Sequence, residues 1–143
     1  MELLDHVALS HLLKGPHRNI IVNTGNPWER DLLLKALSDQ GLKLKTSTMS
    51  YLFFLQGMPF NIDEDVEIGP TPGHTGNDVS VVVKKANLGV LAGVGDLFYC
   101  EGDLFSPSLW LKKSERPHLQ VQSRYTILEM ADFIIPGHGP TFK

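Results

Sequence analysis

A single cysteine, Cys100, stands among the 143 residues. One thiol excludes an internal disulfide framework and a cysteine-rich zinc module, and it fits a reducing compartment. Long apolar runs are missing as well. The longest, Tyr51-Leu52-Phe53-Phe54-Leu55, falls far short of a membrane span. The opening residues, Met1 to His6, carry no basic segment followed by an apolar one, so no signal peptide is expected. Positive charge is not in excess: 13 Lys and Arg face 16 Asp and Glu, for a formal charge of −3. That excludes a protein held to nucleic acid by bulk charge, while leaving room for a local basic groove. There is no repeat, no low-complexity stretch, no Gly-x-Ser-x-Gly and no Walker loop, so serine-hydrolase and nucleotide-hydrolase readings have no foothold. These absences predict a soluble chain without membrane contact, cytoplasmic, with the nucleus as a second compartment.

What is present suits one packed domain over residues 1–143. Hydrophobic residues are 42% and charged residues 20%, enough for a core and too apolar for long disorder. Met1 to His17 has mixed periodicity and gives no firm element. Asn19-Ile20-Ile21-Val22-Asn23 reads as a short buried strand. Asn26 then suits a helix N-cap, Pro27 the first helical position and Glu29 a capping box. From Pro27 to Gln40, Trp28, Leu32, Leu33, Ala36 and Leu37 form one apolar stripe, and Gly41 stops the helix. Leu42 to Lys45 alternates like an edge strand. Farther on, Val66–Ile68, Val79–Val83, Gly89–Val94 and Asp132–Ile135 read as strands. Arg116 to Met130 reads as a helix with Leu119, Ile127, Leu128 and Met130 as its apolar residues. The class is mixed α/β.

Three loops share a design. Each follows a strand, each is rich in glycine or proline, and each offers one metal-capable side chain: His74, Asp96 and His138. Loops at strand ends are where ligands collect, and imidazole with carboxylate suits zinc, iron or manganese. A lone histidine in such a loop is ordinarily structural or simply exposed; the three together make the case. Phe98, Phe105 and Trp110 could line a pocket, with packing as the default. Lys84-Lys85 and Lys112-Lys113 could touch phosphates, with solvated charge as the default. Cys100 could be a soft ligand but reads first as a buried, inert thiol. Asp63-Glu64-Asp65 is an acidic turn that lacks the ligand periodicity of a calcium loop.

Asn23-Thr24-Gly25, Thr71-Pro72-Gly73-His74-Thr75-Gly76, Gly95-Asp96-Leu97-Phe98 and Pro136-Gly137-His138-Gly139-Pro140, in that order and spacing, resemble the metallo-β-lactamase superfamily. The glyoxalase-II-like branch is the nearest likeness, carried also by Asn26-Pro27-Trp28 and Asp78-Val79-Ser80-Val81-Val82-Val83. The likeness covers Gly15 to Gln40 and Gly57 to Lys143. It implies an αβ/βα sandwich with a metal site at one edge of two packed sheets. His74 would complete a first metal site, Asp96 would bridge two metals and His138 would complete a second, with zinc (two per chain), iron or manganese as the cofactor. The implied reaction is hydrolysis of an RNA phosphodiester by a metal-held hydroxide.

One segment departs from that pattern. The superfamily's His-x-His-x-Asp-His loop should follow soon after Gly41, yet no histidine occurs between His17 and His74. The chain runs from Leu42 through Thr46 to Leu55 and resumes the likeness near Gly57, as if a segment were deleted near 42–57, leaving an incomplete form of the fold. That loop would give two histidines to the first site, and an Asp and a His to the second. This chain keeps His74 and Asp96 for one and Asp96 and His138 for the other, fewer than the three protein ligands of a typical catalytic zinc. Asp5, His6, His11 and His17 have the wrong spacing to substitute. Asn23 stands where the family has an Asp supporting a ligand from behind, and it lacks that charge. Tyr51–Leu55 would then patch, or leave exposed, the apolar surface that the missing elements covered. The resemblance thus implies an impaired hydrolase. The alternative is an inactive shortened form acting by binding, as a homodimer or paired with a full-length partner.

Overall fold

A computed structural model of the protein describes residues 58–143 together with segments 2–7, 10–14, 19–22, 30–39 and 41. The chain divides into two compact units, Leu3–Phe54 and Leu55–Lys143, the latter joined by Met1–Glu2.

The first unit carries strands β1 (Glu2–Val7), β2 (Ser10–Lys14) and β3 (Asn19–Val22) in the order β1-β2-β3. β2 and β3 are antiparallel, with Leu12 opposite Ile21. The β3 strand is as expected; β1 and β2 fall where the sequence gave no firm period. Helix α1 spans Arg30–Asp39 and buries Leu37. Gly41, at φ +72°, donates its N–H to Ser38 O and closes the helix in the left-handed turn that favours glycine. Asn26, Pro27, Glu29, the 42–45 strand and the seam at 42–57 lie outside the described residues.

The second unit is built on a five-stranded sheet of order β4-β5-β6-β7-β8. Its strands are β4 (Phe60–Asn61), β5 (Val66–Pro70), β6 (Val79–Ala86), β7 (Gly89–Gly95) and β8 (Phe133–Pro136). Successive pairs from β4 to β7 are antiparallel, with Ile68 opposite Val81 and Val82 opposite Ala92. The β4–β5 turn is tied by the Asp63 carboxylate, which accepts the N–H groups of Asp65 and Val66. β7 buries Leu91, Ala92, Gly93 and Val94 in succession, as a strand covered on both faces must. Its partner β8 is parallel to it, with Gly93 opposite Ile135.

A parallel pair needs a crossover. Here it comprises three short 3₁₀ turns, between Glu101 and Lys113, and helix α2 (Pro117–Met130). Val82, Ala92, Val94, Leu97, Phe98, Ile127, Ile134 and Phe142 form the core. Phe142 is anchored by an antiparallel bridge to Ile134. Burial on α2 does not follow its apolar residues. Gln120, Ser123, Arg124 and Ile127 are its buried residues, whereas Leu128 and Met130 are exposed. Among the described residues no helix is long and apolar enough to cross a membrane.

Candidate metal centre

The topology brings the three sequence-predicted ligands together. β7 and β8 run the same way, so the loops that leave them emerge at the same end of the sheet, one with Asp96 and the other with His138. These loops prolong the parallel pairing: Gly137 N–H donates to Phe98 O and His138 N–H to Tyr99 O, both at 2.9 Å. Gly137 passes so close that a Cβ there would collide with the Asp96 carboxylate and the Gly95 backbone. The third ligand comes from the β5–β6 loop. Asp78 braces it, its carboxylate accepting the backbone N–H and the hydroxyl of Thr75. Thr71 is buried and bonds Ser80 at 2.7 Å. Gly73 lies against Gln120 of α2, where a Cβ would overlap the Gln120 stem and backbone.

Asp96 faces both imidazoles. Its Oδ2 lies 3.6 Å from His74 Nε2 and its Oδ1 lies 3.3 Å from His138 Nε2. All three side chains are part-exposed, at 25% for His74, 32% for Asp96 and 49% for His138, so solvent and solutes reach them. A tetrahedral zinc with ordinary Zn–N and Zn–O bonds sets its N and O donors about 3.4 Å apart. Each His–Asp pair therefore has a separation that one metal ion spans, and the donor types are those zinc, iron and manganese accept. Because the two imidazoles face different oxygens, the arrangement is two pairs sharing a carboxylate. Among the described residues, no group of three or more His, Cys, Asp or Glu is gathered to hold a metal ion. Asn23, the expected supporting residue, lies outside the described residues.

Tyr99 completes the surroundings and was not singled out from the sequence. Its ring stacks on His138, with centroids 5.3 Å apart and planes 9° apart, and meets His74 edge-on at 5.7 Å. Its hydroxyl lies 3.5 Å from His74 Nδ1, whereas Nε2 is the nitrogen 3.6 Å from Asp96. Lys113 Nζ sits 4.1 Å from the Tyr99 ring centre. Burial, and then the Asp96 charge, push the Tyr99 phenol up from its usual range. The signal available in the sequence was position: Tyr99 follows the loop aspartate by three residues.

The remaining candidates sort by burial. Phe98 and Trp110 are buried while Phe105 is exposed. Cys100 is a free thiol, only part-buried. Lys84 pairs with Glu67 and Lys85 with Asp65, each at 2.8 Å, on the far hairpin.

A mixed α/β fold whose strand-end loops set a histidine on either side of one aspartate matches the architecture that the metallo-β-lactamase resemblance implies. Comparison with known proteins agrees, and the chain belongs to the metallo-β-lactamase superfamily. It is similar to metallo-β-lactamase domain-containing protein 1 of Xenopus laevis, 36% identical over 168 residues that cover 92% of this chain and 70% of that protein. The protein of the same name from Homo sapiens is 34% identical over 172 residues, covering 95% of this chain and 62% of its relative. The chain thus spans less than two thirds of the human protein's length. No family model matches. Among solved structures, a quorum-quenching N-acyl homoserine lactone lactonase shares the fold, with a TM-score of 0.61 at 15% identity over 84% of this chain and 72% of that one.

Proposed function

We propose that this chain is a metal-dependent phosphodiester hydrolase acting on RNA, weakened by the loss of part of its ligand set. The observation that carries the reading is the single carboxylate with an imidazole at each oxygen. His74 with Asp96 would hold one ion and Asp96 with His138 a second; zinc, iron and manganese all suit these donors. Such ions supply a polarised scissile group and a nucleophile available near neutral pH. The protein's own part is orientation. Tyr99 flanks both imidazoles, its hydroxyl lies beside His74 Nδ1, and Lys113 puts a positive charge beside the site. RNA as substrate rests on the glyoxalase-II-like likeness of the loop sequences.

Two protein donors per ion, rather than three, predict weak binding. A deletion near 42–57, read from the sequence, would be the cause, and the lengths of the matches are consistent with missing positions. The matches run over 168 and 172 aligned residues, more than the whole of this 143-residue chain, so the relatives carry positions that this chain lacks. The donor count also favours a second reading, an inactive shortened form that pairs with itself or with a full-length partner.

Metal analysis separates the two. Protein dialysed against zinc is expected to retain up to two ions per chain, Asp96→Ala to lose both and His138→Ala to lose one, with slow zinc-dependent cleavage of single-stranded RNA by the unaltered chain. Equal, near-zero zinc in all three proteins overturns the hydrolase reading and leaves the second.

A further inference from the structure

Helix α2 turns a polar stripe toward the sheet, and Gln120, Ser123 and Arg124 each donate to backbone carbonyls near the candidate centre. Arg124 Nη1 donates to Leu97 O at 2.9 Å and Nη2 to Asp103 O at 3.0 Å. The guanidinium lies 3.9 Å from the Phe98 ring centre and 4.7 Å from that of Trp110. Gln120 Nε2 donates to Asp96 O at 3.3 Å and to Leu97 O at 3.2 Å. Asp103, whose side chain is fully buried, faces Arg124 at 3.5 Å and with the same oxygen accepts Tyr99 N–H at 2.6 Å. The segment from Asp96 to Tyr99 is thereby held at three successive points: two carbonyls from the helix side and one N–H from the Asp103 side. None of these bonds touches the Asp96 carboxylate or the Tyr99 ring; all of them fix the backbone from which those groups project.

Apolar side chains would have packed the helix at least as well, because a buried ion pair seldom adds net stability over a hydrophobic replacement. A chain end leaving a strand, however, carries carbonyls without ladder partners, and these must be satisfied somewhere. We propose that Arg124, supported by Asp103 and Gln120, is a positioning residue. It sets the Asp96–Tyr99 segment so that the carboxylate faces both imidazoles and the Tyr99 ring lies against His138. The inference rests on reading Asp96 as the bridge between two metal positions. It adds that the bridge is aimed by a helix that supplies no ligand.

The test uses the whole chain and the Arg124→Met and Gln120→Met variants. In metal-free protein the ring protons of His138 should resonate upfield because they stack on Tyr99. Arg124→Met should lose most of that upfield shift and bind cobalt(II) about 10–100-fold more weakly. Gln120→Met should move both readouts in the same direction by less, and it decides the matter if Arg124→Met does not fold. Folded variants that melt lower but keep the His138 ring shift and the cobalt affinity assign the stripe a structural role and overturn the proposal. If the unaltered chain binds no cobalt, the metal reading fails on its own, and the His138 ring shift in metal-free variants still decides whether Arg124 positions this segment.

Discussion

Asp96 is the residue on which the candidate centre turns, because each of its oxygens has a different histidine opposite. Replacing it with Asn keeps the shape and removes the charge. Asp96→Asn should therefore fold normally, with a melting temperature close to that of the metal-free parent, and show no zinc-induced rise. A zinc-induced rise equal to the parent's would remove Asp96 from the site. Tyr99 allows a second test. In metal-free protein its phenol is held above the ordinary value of 10.0, first by burial and then by the Asp96 charge. One of the three tyrosines should accordingly form phenolate later than the others in an ultraviolet titration, and Tyr99→Phe should delete that late component. The sign follows from linkage. The folded state holds this proton more tightly than the unfolded one, so the contribution to stability is complete below about pH 10 and is lost as pH rises through the elevated folded value. The loops that carry Asp96, His74 and His138 were legible in the sequence because glycine and proline mark them. Tyr99 was not, since an aromatic after a buried Phe reads as packing until its neighbours are known.

At the scale of elements, α2 carries the sharpest energetic expectation. Arg124 and Asp103 are almost wholly buried, with side-chain exposures of 8% and 0%, and Asp103 Oδ1 has no hydrogen-bond partner among the described residues. Burial pulls the Arg124 guanidinium down from its usual range while Asp103 opposes that fall. Arg124→Met alone strands the carboxylate and should cost about 3–5 kcal/mol in urea unfolding. The double variant Arg124→Met/Asp103→Leu should recover much of that loss, as removing both partners of a buried pair usually does. A double variant as unstable as the single one would show that the backbone bonds, rather than the charges, dominate. Gly73→Ala tests the other contact of the helix. Its Cβ has to displace Gln120, so a loss of about 1–3 kcal/mol is expected, typical of overpacking. The sequence located α2 within a residue at its start but gave no reading of its buried face. Apolar periodicity reports burial only where burial is apolar, and here Gln120, Ser123 and Arg124 are inside while Leu128 and Met130 are outside.

For the molecule as a whole, the parallel junction of β7 and β8 decides both stability and site. β7 is buried on both faces from Leu91 to Val94, so its amides should be among the slowest to exchange with deuterium, slower than those of β4 at the edge. Leu91→Ala should cost about 2–5 kcal/mol. Strands β5 to β8 of this sheet were legible because apolar runs sit between turn residues, whereas β4, two residues long, gave no period to read. Strands β1 and β2 of the first unit were not legible, because Glu2–Val7 and Ser10–Lys14 mix charged, polar and apolar residues without a clean alternation.

The inverted helix carries a warning for anyone engineering this protein. Routine stabilisation replaces buried polar side chains with leucine and exposed apolar ones with glutamate or lysine, and on α2 such a protocol would rewrite nearly every turn. Stabilising changes are easy to find and often trade against function, so a higher melting temperature would be no sign that the site had survived. The redesigned helix would release the carbonyls of residues 96, 97 and 103, so a hardier protein with a misaligned carboxylate is the foreseeable product.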